Sequence, residues 1–460
     1  MSTLIVHPSG PLRGATAVPG DKSISHRALL LSALAEGDTT IHGWVEADVC
    51  QATLRCVRGL GVVVDAPGPE TLIVHGVGLH GLREPEDVLD CAGSGTTIRL
   101  LSGILAGQPF TSILTGSPAL RRRPMGRVAE PLRLMGATVL GRQDGKLPPL
   151  AIRGGHLHGM DYALPVASAQ VKSAILLAGL FAEGETIVHE PGPARDHTER
   201  MLAQFGVQVE TAAEGAGSAI RLRGGQKLIG NGPLYVPGDF SSAAFPLVAA
   251  VLVPGSDVLL RGVGVNPTRT GLFDLLAAMG ATVAQTDLRP SATDVRPRGH
   301  ATPDDDERPA AGGEPIADVA ARGSALAAIE VAGAIVVRAI DEFPIFAVAA
   351  TQAAGTTIVR DAAELRVKES DRIAAVCQEL RKMGAAVEEQ PDGMIIHGPT
   401  PLVGAEVDSH HDHRLAMALA VAGLVARGPT RIHDAGVIAD SFPNFVETMR
   451  ALGAEIQWTS

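Results

Sequence analysis

The chain is poor in cysteine and in positive charge. Its four cysteines, Cys50, Cys56, Cys91 and Cys377, include no C-x-x-C pair, so we expect buried free thiols in a reducing compartment. Lys and Arg number 39 against 50 Asp and Glu, which gives a net charge of −11. Nucleic acids and membrane surfaces are therefore not expected as partners, because both favour basic proteins, and an anionic ligand would need a local cluster of cations.

Membrane-spanning and secretory segments are also missing. Apolar runs such as residues 415–426 fall short of the roughly twenty residues that a membrane span requires. The start, Met1-Ser2-Thr3, lacks the basic and apolar regions of a signal peptide. The sequence therefore predicts a soluble cytoplasmic protein.

What the chain does contain is a repeat of six units. Each unit predicts a first helix, a glycine, a strand and a second helix that ends in a hydrophobic residue followed by glycine. The second helices end at Leu60-Gly61, Met135-Gly136, Phe205-Gly206, Met279-Gly280, Met383-Gly384 and Leu452-Gly453. The first helices are predicted to end at Gly37, Gly107, Gly184, Gly255, Gly355 and Gly428. Length alone suggests roughly two to three domains, and six units divide into two sets of three.

The sixth unit is incomplete at its end. Each earlier unit closes with a strand, a turn and usually a second strand, but after Gly453 only residues 454–460 remain. The N-terminal segment Thr3-Leu4-Ile5-Val6-His7 is identical to Thr71-Leu72-Ile73-Val74-His75 of the first unit. We therefore predict that the first strand completes the last unit. A segment at about 287–312, rich in Pro, Gly and charge, is expected to be a surface insertion without chemistry.

Polar residues crowd at the starts of the apolar first helices. The segments concerned are residues 19–27, 93–99, 168–172, 237–242, 341–344 and 412–414. A helix N-terminus has unsatisfied N–H donors and a partial positive charge, so several such termini could form an anion site. Capping alone explains the Ser, Thr and Asp residues. It does not explain Lys22, Arg27, Arg99 and Arg414, because cations are disfavoured near a helix start.

More cations accompany the second helices. They are Arg121-Arg122-Arg123, Arg195, and the pair Lys368 and Arg372, which we predict to share one helical face. A solvated, salt-bridged helix end would explain the same pattern.

Several of these motifs are similar to those of the EPSP synthase family, the 3-phosphoshikimate 1-carboxyvinyltransferases. The motifs lie at residues 19–27, 95–100, 123–125, 168–173, 366–372 and 412–414. The resemblance implies an α/β (α+β) fold, a two-domain inside-out α/β barrel with six β-α-β-α-β-β units, three per domain. The expected domains are residues 21–238, and residues 1–20 together with 239–460. A two-stranded hinge would join the domains, and the protein is expected to be a monomer.

The resemblance also implies the reaction and its site. The 5-hydroxyl of shikimate 3-phosphate would add to C2 of phosphoenolpyruvate, and phosphate would leave from a tetrahedral intermediate. Phosphoenolpyruvate would be bound by Lys22, Gly95, Arg123, Gln170, Arg372 and Arg414. Shikimate 3-phosphate would be bound by Lys22, Ser23, Arg27, Ser168, Ala169, Gln170, Arg195, Asp341 and Lys368.

The same resemblance suggests the proton-transfer groups. Glu369 is the expected acid at C3 and Asp341 the expected base at the hydroxyl, with Lys22 assisting. No metal or organic cofactor is expected, because the substrate is itself an activated enol. Glyphosate is expected to compete with phosphoenolpyruvate beside Gly95.

Three positions depart from the family pattern. Gly93 stands where many members have Asn, Ala194 where Ser often occurs, and Asp440 where some members have Lys. These changes put single substrate contacts in doubt but leave the proposed acid, base and arginines in place.

Three other functions compete with this interpretation. The sister enolpyruvyl transferase that acts on UDP-N-acetylglucosamine typically has Lys-Asn and a loop cysteine, whereas here Ser23 follows Lys22 and residues 114–125 contain no Cys. A metal site at His410-His411-Asp412-His413 is disfavoured because no partner cluster has ligand spacing. A non-catalytic binding protein is disfavoured because both proton-transfer residues are present.

Overall fold

The computed structural model describes residues 2–230, 232–290 and 313–459. The helices are α1 Lys22–Leu34, α2 Asp48–Gly59, α3 Gly95–Ala106, α4 Gly126–Leu134, α5 Arg142–Gly145, α6 Ala169–Gly179, α7 His197–Gln204, α8 Phe240–Leu252, α9 Gly271–Ala278, α10 Ala334–Arg338, α11 Phe343–Thr351, α12 Arg372–Lys382, α13 His413–Val425 and α14 Phe445–Ala451. Within the described residues, no helix is both long and apolar enough to cross a bilayer.

The strands are β1 Thr3–Val6, β2 Arg13–Ala17, β3 Glu36–His42, β4 Val63–Gly68, β5 Thr71–Val77, β6 Leu89–Asp90, β7 Thr111–Thr115, β8 Thr138–Gly141, β9 Leu147–Arg153, β10 Leu157–His158, β11 Asp161–Ala163, β12 Ala182–Glu183, β13 Glu185–Glu190, β14 Val209–Glu214, β15 Gly217–Arg223, β16 Gly232–Tyr235, β17 Asp257–Gly264, β18 Thr282–Pro290, β19 Pro315–Arg322, β20 Glu330–Val331, β21 Gly355–Val359, β22 Ala386–Gln390, β23 Gly393–Gly398, β24 Glu406–Asp408, β25 Thr430–His433 and β26 Ile456–Thr459. The fold is therefore mixed α/β.

The chain forms two compact units. Unit N contains Gly20–Val236 and Pro290–Glu314, and unit C contains Met1–Pro19, Pro237–Arg289 and Pro315–Ser460. The predicted insertion at about 287–312 falls largely on residues 291–312, which lie outside the described residues.

Unit N contains three four-stranded sheets with the same plan. Their strand orders are β16-β3-β5-β4, β6-β7-β9-β8 and β11-β13-β15-β14. In each sheet the first pair of strands is parallel and the remaining pairs are antiparallel. The core lies around α1, α3 and α6, which are buried on almost every side. Gly103 lets α3 approach α6 closely, because a Cβ there would lie 2.2 Å from the Ala174 carbonyl oxygen.

Unit C repeats this plan around α8, α11 and α13. Its sheets have the orders β2-β17-β19-β18, β20-β21-β23-β22 and β24-β25-β1-β26. In the last sheet β1 pairs antiparallel with both β25 and β26, so that Leu4 lies opposite Ile432 on one side and Trp458 on the other. The prediction that the first strand completes the sixth unit is therefore confirmed.

The second-helix endings also follow the prediction. In all six units the hydrophobic residue caps the helix and the following glycine has a positive φ, as at Gly61 with φ 86°. The Gly61 amide donates to the Arg58 carbonyl, and the Val62 amide donates to the Val57 carbonyl. These two hydrogen bonds form a Schellman motif, which satisfies carbonyls at the helix end and favours glycine.

The predicted first-helix endings are correct only at Gly107, which caps α3. The other five helices stop earlier, as α1 does at Leu34, where Ala35 already has extended backbone angles. Gly37 then lies within β3 with φ 94°. The glycines that follow these five helices therefore lie where the chain enters the next strand, not at the end of the helix.

Candidate active site

The polar motifs of unit N lie at the starts of its three central helices, as predicted. Lys22 is the first residue of α1, and the Asp21 carboxylate accepts the Ile24 amide at 2.9 Å. The Ser94 hydroxyl accepts the Thr97 amide at 3.1 Å and caps α3. Ser168 and Ala169 are half-buried at the start of α6. These helix starts provide N–H donors for anions.

Arg27 is a buried cation whose position is fixed by three hydrogen bonds. Its Nε donates to the Thr198 hydroxyl at 2.8 Å, Nη1 to the Ser23 carbonyl at 2.9 Å and Nη2 to the Ser173 hydroxyl at 2.7 Å. Burial lowers the pKa of Arg27 to about 10, so the guanidinium stays charged at neutral pH. Arg195, which precedes α7, is half-buried.

Two other arginines of unit N surround the start of α3. A Cβ at Gly95 would lie 2.8 Å from Nη1 of Arg123 and 3.2 Å from Nη1 of Arg99. Arg99 also donates to the Gln170 side-chain oxygen, and the Gln170 amide donates to the Thr96 hydroxyl at 2.9 Å. The absence of a side chain at Gly95 therefore lets two guanidinium groups approach the start of α3, and such a pair suits a small anion.

Lys172 forms a buried ion-pair cluster in unit N. Its Nζ lies 2.8 Å from Glu190 Oε2 and 2.6 Å from Glu199 Oε1, and all three side chains are almost fully buried. Although burial opposes it, the two carboxylates raise the pKa of Lys172. Both carboxylates therefore hold this cation inside the unit, and we assign it no substrate contact.

Arg372 organises the polar residues of unit C. It is 1% exposed, and its Nε lies 2.8 Å from Asp412 Oδ2, its Nη1 3.2 Å from Asp341 Oδ1 and its Nη2 2.7 Å from Glu369 Oε2. Burial opposes the charge, but Asp412, Glu369 and Asp341 together raise the pKa of Arg372. Three carboxylates from separate segments are thus gathered around one guanidinium.

Arg414 belongs to the same cluster. Its Nη1 donates to the Asp341 carbonyl at 3.3 Å, and its Nη2 lies 3.6 Å from Asp341 Oδ2. Its backbone amide donates to Asp412 Oδ1 at 3.0 Å, which caps α13. Asp341 therefore lies between the guanidinium groups of Arg372 and Arg414.

The prediction that Lys368 shares a helical face with Arg372 is wrong. The helix α12 begins only at Arg372, because the Asp371 carboxylate accepts the Ala374 amide at 3.1 Å and caps the helix there. Lys368 instead follows the 3₁₀ turn Ala363–Val367 with extended backbone angles. Burial lowers the pKa of Lys368, while Asp341 acts in the opposite direction.

Arg269 is a buried residue of this region that the sequence motifs did not identify. Its Nη2 donates to Asp239 Oδ1 at 3.0 Å and to the Ser241 hydroxyl at 2.7 Å. Ser241 in turn donates to Glu342, whose carboxylate lies 3.6 Å from Arg414 Nη1. Asp239 and Ser241 lie in a predicted helix-start motif. Arg269 stands two residues before α9, as Arg195 stands two residues before α7, but it is not among the cations predicted at the second helices.

The histidines at 410 and 411 contact different carboxylates. His410 Nε2 lies 2.8 Å from Glu379 Oε1, whereas His411 pairs with Asp434. In the part of the chain that the structure describes, no group of three His, Cys, Asp or Glu residues is arranged to hold a metal ion.

The four cysteines are buried and form no disulfide.

The three departures from the family pattern occupy different environments. Gly93 is exposed, with open space where a Cβ would lie, whereas Ala194 is buried. Asp440 is the last residue of the 3₁₀ turn Ala435–Asp440.

Comparison with known proteins identifies close relatives along the whole chain. A family model described as EPSP synthase (3-phosphoshikimate 1-carboxyvinyltransferase) matches residues 6–449. The 3-phosphoshikimate 1-carboxyvinyltransferase of Desulforamulus reducens is 50% identical over 452 residues, which cover 98% of this chain and 100% of the relative. That of Geobacter sulfurreducens is 53% identical over 445 residues, which cover 97% and 98% of the two chains.

Solved structures show the same similarity. EPSP synthase from Acinetobacter baumannii superposes with a TM-score of 0.86 at 44% identity, covering 100% of both chains. The enolpyruvyl transferase NikO from Streptomyces tendae has a TM-score of 0.74 at 18% identity, covering 100% of this chain and 99% of NikO, and it supports the fold alone.

Proposed function

The chain belongs to the EPSP synthase family, and we infer that it transfers the enolpyruvyl group of phosphoenolpyruvate to the 5-hydroxyl of shikimate 3-phosphate, with release of phosphate. The protein is a 3-phosphoshikimate 1-carboxyvinyltransferase of the shikimate pathway, which leads to the aromatic amino acids. This conclusion depends on one observation: over 98% of the chain, half of the residues are identical to those of an enzyme of that name.

We propose that Lys22, Gly95, Arg123, Gln170, Arg372 and Arg414 bind phosphoenolpyruvate. The close approach of the Arg123 guanidinium to Gly95 supports this assignment in unit N, because a phosphate or carboxylate pairs well with a guanidinium. In unit C, the paired guanidinium groups around Asp341 support it.

We propose that Lys22, Ser23, Arg27, Ser168, Ala169, Gln170, Arg195, Asp341 and Lys368 bind shikimate 3-phosphate. Arg27 supports this assignment, since its three hydrogen bonds hold a permanent charge at the start of the unit's first helix. A cation that is already fixed loses little conformational entropy when it pairs with an anion.

The two carboxylates beside Arg372 are proposed to transfer the protons. Asp341 would take the proton of the 5-hydroxyl as that oxygen bonds to C2, while Glu369 would give its proton to C3. In the second half, the bond from C2 to the phosphate oxygen breaks, phosphate leaves, and a proton returns from C3 to Glu369 to restore the double bond. Lys22 assists these proton movements.

We further propose that each domain, residues 21–238 and residues 1–20 with 239–460, is an inside-out α/β barrel of three repeats. The three sheets of equal plan around three buried helices in each compact unit support this architecture. We also propose that the protein acts as a monomer in the cytoplasm.

A phosphate-release assay with the purified chain tests the function. Phosphate should appear only when both phosphoenolpyruvate and shikimate 3-phosphate are present. UDP-N-acetylglucosamine in place of shikimate 3-phosphate should give no release. Turnover with the nucleotide sugar, or none with shikimate 3-phosphate, would contradict the proposal.

A further inference from the structure

A chain of buried polar side chains connects three helices of unit N. His26 Nδ1 lies 2.6 Å from the Thr53 hydroxyl, which lies 2.6 Å from the Thr97 hydroxyl, which in turn lies 2.6 Å from the Ser94 hydroxyl. None of these four residues is more than 2% exposed. The contacts join α1, which carries His26, to α2, which carries Thr53, and to the start of α3.

One order of the protons satisfies every member of this chain. Thr97 has one hydroxyl proton, which it donates to Ser94 at 2.6 Å or to the Val49 carbonyl at 3.5 Å, so it accepts from Thr53. Thr53 has then used its own proton and can only accept from His26. In this order His26 carries its proton on Nδ1, and its Nε2 is the acceptor that faces the Cys50 thiol at 3.7 Å.

The four hydrogen-bonded side chains are also uncharged. Burial, together with the positive charges of Lys22 and Arg27, lowers the pKa of His26 to about 3. His26 is therefore neutral at physiological pH, and the chain contributes no charge to the neighbouring anion site. A buried network in which every member has a partner favours one arrangement of the elements it joins.

Both ends of this series of hydrogen bonds lie beside residues that we assign to substrate binding. Ser94 caps α3, and the next residue is Gly95, beside the Arg123 guanidinium. His26 lies on α1 directly before Arg27. A shift of α3 relative to α1 would therefore move the Gly95 backbone relative to Lys22.

We propose that His26, Thr53, Thr97 and Ser94 are positioning residues that set the start of α3 relative to the start of α1 for phosphoenolpyruvate binding. The proposal rests on the assignment of Lys22, Gly95 and Arg123 to that substrate. None of the three residues His26, Thr53 and Thr97 is expected to contact a substrate.

Steady-state kinetics of Thr53→Val test the proposal. The change keeps the shape of the side chain but breaks the proton chain in the middle, and a lost buried hydrogen bond should raise KM for phosphoenolpyruvate roughly tenfold. KM for shikimate 3-phosphate should rise less, because its proposed ligands Lys22, Ser23 and Arg27 all lie on α1 and keep their positions relative to one another when the start of α3 shifts. Thr53→Ser, which keeps the hydroxyl, should restore the wild-type value.

Thr186→Val is the matched control. Thr186 is fully buried in β13 of the same unit, and its hydroxyl has no hydrogen-bond partner among the described residues. If Thr53→Val and Thr186→Val have the same KM for phosphoenolpyruvate, or if Thr53→Val raises both KM values equally, the positioning role is refuted. Absence of turnover in the wild-type protein would instead refute the proposed function.

The proton order has its own measurement. In wild-type protein labelled with ¹⁵N-histidine, NMR should show His26 protonated on Nδ1 and not on Nε2 from pH 5 to 8, and the signal that is lost in His26→Gln assigns it to this residue. A His26 that is protonated on Nε2 would overturn the proposed proton order.

Discussion

Glu369 Oε2 lies 2.7 Å from Nη2 of Arg372, three residues further along the chain. The same guanidinium contacts Asp341 through Nη1, so it holds both proposed proton-transfer carboxylates at once. The Glu369 side chain is 30% exposed and that of Asp341 16%, whereas Arg372 is 1% exposed. Both carboxylates are thus more exposed than the cation that holds them.

Glu369→Gln should lower kcat about a hundred- to ten-thousand-fold, because the amide cannot give or take the proton at C3. Substrate KM values should change much less, since the amide oxygen can still accept a hydrogen bond from Arg372. Glu389→Gln is a suitable control, because Glu389 also pairs with an arginine, Arg366, at 3.0 Å. Near-normal kcat in Glu369→Gln would remove this residue from the mechanism.

Gly95→Ala should weaken phosphoenolpyruvate binding and glyphosate inhibition together. The new methyl group would lie 2.8 Å from Nη1 of Arg123, so the guanidinium must move away from the position at which it would pair with the anion. The readouts are KM for phosphoenolpyruvate and the inhibition constant of glyphosate. Gly93→Ala, two residues earlier with open space around its Cβ, should change neither value. Unchanged inhibition in Gly95→Ala would refute the placement of the pocket.

Lys172→Met should destabilise the protein by about 3–5 kcal/mol, because it leaves Glu190 and Glu199 buried without their cation. Lys227→Met offers a matched comparison, since Lys227 pairs with Glu36 at 2.9 Å on the exposed surface and should cost at most about 1 kcal/mol. The free energy of unfolding in urea checks both values. Equal losses would contradict the structural role of the buried pair.

His75 should give a pH-dependent contribution to stability. Its Nδ1 lies 3.0 Å from Asp38 and its Nε2 3.1 Å from Asp65, and hydrogen bonds to these carboxylates raise its pKa above 6.5. A raised pKa means that the contribution is complete below pH 6.5 and is lost as the pH rises through the higher, folded-state value.

The melting temperature of His75→Gln should therefore fall below that of the wild type by more at pH 6 than at pH 9. The effect should be small, because the pair is exposed to solvent. His156→Gln, at an exposed histidine without a carboxylate partner among the described residues, should show no such pH dependence. A difference that grows towards pH 9 would contradict this sign.

Local patterns predicted the parts of the fold that short segments determine. The ending Leu60-Gly61 identifies its helix end because the Schellman hydrogen bonds join residues only three to five positions apart. The prediction that α1 ends at Gly37 was wrong, because a glycine with positive φ also occurs where the chain enters a strand. The sequence pattern alone does not distinguish this position from a helix end.

Contacts between distant residues were harder to predict. Arg269 meets Asp239 across 30 positions, and Thr53 meets Thr97 across 44, with no shared motif between the partners. Only the folded chain brings such residues together. The resemblance to a known family identified Arg372 and Glu369, but the ion pair between them and the start of α12 at Arg372 came from the structure.

The position of β1 between β25 and β26 has a consequence for synthesis. The Thr459 hydroxyl donates to the Thr3 carbonyl across 456 positions, so β1 is synthesised long before the strand with which it pairs. Unit N draws most of its residues from Gly20–Val236 and can form its core while translation continues. The last sheet of unit C can form only after β25 and β26 have been synthesised, and β1 spends that interval without its neighbouring strands.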